Sequence, residues 1–176
     1  LLRIRTPHQA APIADRSLWQ HLAEGFLYTW ENRTIRLLLV LMAVFTIFGF
    51  SYFVLMPVIA VQVLHLREGG FGILFAFSGV GALAGALLLA TSAGRVSKGA
   101  LLCGSGITAA VFLMLFSMSR VFSLSALFLM GISGGLVIAT ASINSLIQEI
   151  APDMLRGRVV SMWTFIFGGF TPLGAL

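Results

Sequence analysis

Charge is what this sequence has least of. Of its 176 residues 10% are charged and 59% hydrophobic, whereas roughly a quarter of a soluble domain is charged. With a mean hydropathy of +1.01, the chain cannot cover a globular surface with polar groups, and a bilayer is its natural solvent. The single cysteine, Cys103, excludes a disulfide framework within the chain and, set in an apolar run, reads as a small buried or lipid-facing side chain. There is no CxxC, no HExxH and no facing Glu/His cluster, so neither a metal nor a cofactor is expected. The formal charge of +5 comes from basic residues that punctuate apolar runs. Nucleic-acid binding needs them clustered on one accessible face with aromatics to stack bases, so it is set aside. Residues 1–35 lack the compact apolar core and small-residue cleavage site of a signal peptide.

Long apolar runs are what the sequence does have. They predict an all-α polytopic membrane protein with five transmembrane helices, at about 37–64, 71–94, 99–119, 121–148 and 159–176. At ~1.5 Å per residue the first run exceeds the ~30 Å hydrocarbon core. Pro57 predicts a kink inside it. The chain begins on Leu and ends inside an apolar run, so a piece of a longer protein is expected. Before the spans, residues 1–35 read as a linker followed by an interfacial amphipathic helix, with Ser17 and Gln20 as a capping box and Leu18, Leu22, Phe26 and Trp30 on one face.

Basic residues orient the spans. Arg3, Arg5, Arg16, Arg33, Arg36, Arg95, Lys98, Arg156 and Arg158 fall on one side, against Arg67 and Arg120 on the other. The positive-inside rule makes the side of residue 1 cytoplasmic.

Within the spans, Gly81 with Gly85 and Gly131 with Gly135 form small-xxx-small pairs suited to close helix packing. Ser133, Thr140, Asn144 and Gln148 recur on one helical face of the fourth span. A polar stripe of this kind faces protein or a water-filled cavity, so these four are candidates for lining a substrate cavity, joined by Tyr52, Gln62, Trp163 and Phe167. Gly131-Ile132-Ser133-Gly134 looks like the GxSG of rhomboid-type intramembrane proteases, but His8, His21 and His65 all precede it and lie outside the spans, leaving no base for the serine. No catalytic residue is assigned. No charge lies deep in a span, where it costs ~2.5–3.5 kcal/mol and marks an ion or proton route.

Between the fourth and fifth spans, APDMLRGRVVSMW combines a proline, an acid and two arginines. A tight turn carrying both charge signs can form ion pairs that hold one state closed. Glu149, Asp153, Arg156 and Arg158, with Arg95 and Lys98 from the second loop, are therefore candidates for a cytoplasmic gate.

Pro152 to Val159 resembles the P-x-x-x-R-G-R-V loop of the Major Facilitator Superfamily, in the branch of the enterobactin exporter and macrolide-efflux-like transporters. Glu24-Gly25-Phe26-Leu27-Tyr28 resembles that branch's segment before the seventh helix, and Leu55-Met56-Pro57 its "LP" within that helix. Gly72 to Ala86 is similar to its eighth helix, Asn144 to Gln148 to the end of its tenth, and Pro172-Leu173-Gly174 to its eleventh. The resemblance implies the carboxy-terminal half of a twelve-helix transporter, with the five spans as helices seven to eleven. It further implies a partner amino-terminal half in the same chain, alternating access, and proton-coupled export of a small molecule from a bacterial inner membrane. By the same resemblance helices seven, eight, ten and eleven line the cavity, while Arg156 and Arg158 face the other half. Gly94 to Gly99 matches a loop motif of the family without its acid. The competing class is a non-transporting membrane scaffold or sensor.

Overall fold

The computed structural model describes residues 29–66, 69–92 and 94–170, and these are helical with short connections. The expected interfacial helix from Ser17, Arg67 and Glu68 in the first loop, and residues 171–176 with Pro172 lie outside the described residues, apart from a helical turn at 29–31.

The first span runs from Arg33 to Val63, and it is not one continuous α-helix. Helix α1 (Arg33–Val44) starts under the Asn32 side chain, which accepts the Thr34 and Ile35 amides at 3.1 and 3.2 Å. A π-helical turn (Phe45–Gly49) follows, then a break at Phe50–Ser51, then α2 (Tyr52–Val58) and a second π-helical turn (Ile59–Val63). Pro57 alone predicted one kink; the main interruption stands ahead of it. Two hydroxyls bond backwards there, Thr46 to the Met42 carbonyl at 2.9 Å and Ser51 to the Ile47 carbonyl, a pattern that bends helices. Across the break the amides of Phe53 and Val54 bond the Phe50 and Ser51 carbonyls, both at 3.1 Å. Pro57 has no amide to give, and the ladder re-forms with wider spacing, Leu64 N–H reaching the Ile59 carbonyl at 3.0 Å.

Helices α3 (Gly70–Ser92), α4 (Lys98–Met118) and α5 (Phe122–Ile150) follow, each, like the first span, long and apolar enough to cross a membrane. Gly94, at φ 78°, turns the chain between α3 and α4 in the left-handed region that favours glycine. Helix α6 (Asp153–Phe170) begins at Asp153 rather than Val159, so the stretch around Arg156 and Arg158 is helical and the connection shrinks to Ala151–Pro152. Pro152 fixes the φ of a helix start and its carbonyl accepts the Leu155 and Arg156 amides at 2.9 Å; Asp153 suits the positive end of the helix dipole.

Helix α5 is the centre, with α3 on one flank and α4 on the other. Glycines set both approaches. A Cβ on Gly81 would overlap the Met130 backbone, and one on Gly85 would lie 2.5 Å from the Gly134 carbonyl oxygen. On the other flank, a Cβ on Gly135 would lie 2.8 Å from the Ser105 carbonyl oxygen, and one on Gly131 would meet the Phe112 ring. The two pairs read in the sequence therefore serve different interfaces: Gly81 and Gly85 join α3 to α5, Gly131 and Gly135 join α5 to α4. Lipid offers no hydrophobic force between helices, so this backbone proximity supplies the dispersion contacts that hold them.

Two apolar cores result. At the end where α4 and α6 start, Ile35, Leu39, Met42, Leu102, Ile143, Ile147 and Val159 pack together. Towards the other end, Tyr52, Met56, Leu74, Phe116, Leu129 and Leu136 form the second. The first span contributes α1 to one and α2 to the other.

Candidate functional site

Three arrangements collect the chemistry-bearing side chains. The first is a seam of aromatic rings at the break in the first span. Trp163 stacks on Phe167 with centroids 5.6 Å apart and planes 4° from parallel. Phe167 meets Phe50 edge-on at 5.5 Å, linking α6 to the break. Phe50 lies over Phe53 at 6.0 Å, Phe53 against Tyr52 at 4.4 Å and against Phe75 of α3 at 5.6 Å. These are favourable offset and edge geometries, each worth ~0.5–1.5 kcal/mol beyond area burial. The indole N–H of Trp163 is buried with no acceptor among the described residues.

The second is a buried hydroxyl node. The Tyr52 Oη lies 2.9 Å from Ser133 Oγ and 3.4 Å from Ser78 Oγ, and the two serine oxygens are 2.5 Å apart. All three residues are buried, so α2, α3 and α5 are tied together by their hydroxyls in the second core. The partners of Ser133 are two hydroxyls, neither of which is a base.

The third is the charged end. Lys98 at the start of α4 pairs with Glu149 near the end of α5 at 2.9 Å. Arg156 pairs with Asp153 one turn earlier at 2.7 Å, and its Nε donates to the Gln148 carbonyl at 2.9 Å, tying α6 to the last turn of α5. Both pairs are substantially exposed, which limits their worth to ~0–1 kcal/mol each.

The sequence candidates distribute unevenly over these arrangements. The structure brings Tyr52 and Ser133 together in the hydroxyl node, and Trp163 and Phe167 together in the seam, where Tyr52 joins them through Phe53. Thr140 spends its hydroxyl on its own helix, at 2.8 Å from the Leu136 carbonyl, and Asn144 accepts from Gln148 at 3.0 Å. Gln62 is exposed on the second π-helical turn, away from either cluster. Of the charged candidates, Lys98 with Glu149 and Asp153 with Arg156 are paired, Arg95 is exposed on the loop before α4, and Arg158 is half-buried on α6. Sequence reasoning missed Ser78, Phe50, Phe53, Phe75 and Gly134. Phe71 and Phe75 are one turn apart and could have been paired by spacing; the others depend on which helices become neighbours.

A family model for transmembrane secretion effectors matches the chain over residues 1–176. The chain belongs to that family. It is a family of Major Facilitator-type transporters, not of enzymes, and with its apolar helices it makes this chain a multi-pass membrane protein of the transport class. Comparison with curated proteins and with solved structures returned no match.

Proposed function

We propose that this secretion effector is part of a secondary active transporter that exports an amphipathic, ring-bearing small molecule by alternating access. The observation that carries the reading is the aromatic seam at a helix break. Non-helical backbone within a membrane is tolerated where it is covered by protein or lines a cavity, and interrupted helices are where transporters build their substrate sites. Here the break at Phe50–Ser51 is flanked by Trp163, Phe167 and Phe53, with one unsatisfied indole donor beside them.

On this reading Arg33–Val63 is the seventh helix of a twelve-helix protein, α3 to α5 are the eighth to tenth, and α6 is the eleventh and fifth span. A six-helix amino-terminal half packs against the α2/α6 face and contributes the protonatable group, since the seam is neutral. Gln62, Thr140, Asn144 and Gln148 line further parts of the path. Arg95, Lys98, Glu149, Asp153, Arg156 and Arg158 form the cytoplasmic gate in a bacterial inner membrane, closing against the other half.

The test is efflux of a fluorescent aromatic substrate from everted vesicles bearing the full-length protein. Trp163→Ala with Phe167→Ala should abolish proton-dependent movement at normal membrane levels. Undiminished transport by that double variant sinks the proposed site.

A further inference from the structure

A cavity of about 680 Å³ opens at the charged end between α3, α4 and α5, away from the aromatic seam. Arg95, Lys98, Gly99, Ser142, Ser145 and Glu149 are among its walls. Two bases face one acid, so the mouth keeps one formal positive charge after Lys98 has paired with Glu149. Helix α4 points its N-terminus here. The Ser97 side chain satisfies the Ala100 amide at 3.3 Å and its carbonyl the Leu101 amide at 3.0 Å, which leaves the Lys98 and Gly99 amides as open donors. Ser142 adds an independent sign. It is 2% exposed, it lines this cavity, and its hydroxyl has no partner among the described residues. A serine in a membrane helix ordinarily bonds back to a carbonyl of its own helix, as Thr140 does on the same helix at 2.8 Å. An unpaired buried hydroxyl is costly unless a guest satisfies it.

Deeper along the same groove is a second cavity, of about 410 Å³, walled by Ala84, Gly85, Gly104, Gly131 and Ile138 among others. The two cavities share Leu101. The hydroxyls on the walls of the deeper one are spent on their own helix, Ser105 on the Leu102 carbonyl at 3.2 Å and Thr108 on the Gly104 carbonyl at 2.8 Å. The deeper groove therefore offers an apolar chain nothing but carbon and satisfied backbone.

A cationic mouth with open donors, continuous with an apolar slot along a membrane helix, matches one kind of molecule. We propose that the α3/α4 groove is a binding site for a phospholipid with an anionic headgroup. The phosphate sits between Arg95 and the first amides of α4, the Ser142 hydroxyl turns out from the wall behind them to meet it, and one acyl chain lies in the slot beside Gly85 and Gly104. A free phosphate would use the mouth and leave the slot empty, which separates the two.

The experiment is native mass spectrometry of the full-length protein in mild detergent, titrated with dioleoyl phosphatidylglycerol, dioleoyl phosphatidylcholine or inorganic phosphate. The wild type should retain phosphatidylglycerol over phosphatidylcholine, and millimolar phosphate should not displace it. Arg95→Ala should lower retention about fivefold, the effect of one basic residue at an anionic surface, while Arg120→Ala at the opposite end leaves it unchanged. Gly99→Phe and Gly104→Phe supply a check independent of charge. A Cβ at either glycine meets nothing within 4 Å, so both variants should fold, the first blocking the mouth and the second the slot, and both should lose the lipid. Wild-type retention by either phenylalanine variant, retention of phosphatidylcholine equal to that of phosphatidylglycerol, or displacement by phosphate would overturn the proposal.

Discussion

Gly85 and Gly134 put the backbones of α3 and α5 in direct contact: a Cβ on Gly85 would sit 2.5 Å from the Gly134 carbonyl oxygen. Backbone cannot yield as a side-chain tip can. Gly85→Ala should therefore push the helices apart and cost ~1–3 kcal/mol, the range for overpacking a tight interior. Gly79→Ala is the control, since a Cβ there meets nothing within 4 Å and alanine favours the helix by ~1 kcal/mol. Thermal unfolding in detergent should show the first variant lowered and the second unchanged or raised.

The hydroxyl node predicts a coupling. Tyr52→Phe and Ser133→Ala each remove a member of the Tyr52–Ser78–Ser133 cluster. A double-mutant cycle by chemical unfolding should give an interaction energy near ~0.6 kcal/mol and no more than ~1.7 kcal/mol, the range for hydrogen bonds between membrane helices. Strict additivity would mean that the 2.9 Å contact between Tyr52 and Ser133 contributes nothing.

The charged end separates stability from function. Arg156 loses an exposed ion pair and its bond to the Gln148 carbonyl, so Arg156→Ala with Arg158→Ala should lower unfolding stability by only ~1–2 kcal/mol. Transport by the full-length protein should nevertheless fall at normal membrane levels. Transport and stability falling together would place the arginines in the scaffold instead of the gate.

The indole of Trp163 gives a finer probe of the seam. Trp163→Phe keeps a ring over Phe167 and removes the N–H. For a substrate carrying a hydrogen-bond acceptor the apparent KM should rise roughly two- to tenfold, the worth of one neutral hydrogen bond, with maximal rate preserved. An unchanged KM would leave the indole without a role in binding.

How much of this was legible in the sequence depended on the range of the forces involved. Spans show as apolar runs because bilayer thickness sets their length, so α3, α4 and α5 were readable to within a few residues. Gly81, Gly85, Gly131 and Gly135 stood out because spacing reveals a smooth face. Spacing does not say against which helix that face will lie, and Gly134 was passed over for that reason. The break at Phe50–Ser51 was hidden because the features found beside it, the Ser51 back-bond and the close approach of Gly49 to Leu136, leave no mark on an apolar run, and the second of these depends on tertiary structure. Pro57, the visible breaker, marked the second and lesser irregularity of the span, at the π-helical turn that follows it. The start of α6 was misplaced for the opposite reason: charges at Asp153, Arg156 and Arg158 read as a loop, although a proline followed by an acid is how a helix begins. Ser133 and Thr140 share a face by periodicity, yet one is bonded across three helices and the other to its own backbone.

The division of the first span between two cores also bears on how the molecule yields. Helices α4 and α5 run through both like uprights through two storeys, α3 furnishes buried side chains to one and α6 to the other, and the floor between them is the level of Phe50 and Ser51. Amide exchange in α1 and α6 should consequently rise and fall as one block, and exchange in α2 and the first half of α3 as another, so that either end of the protein can loosen while its opposite stays packed.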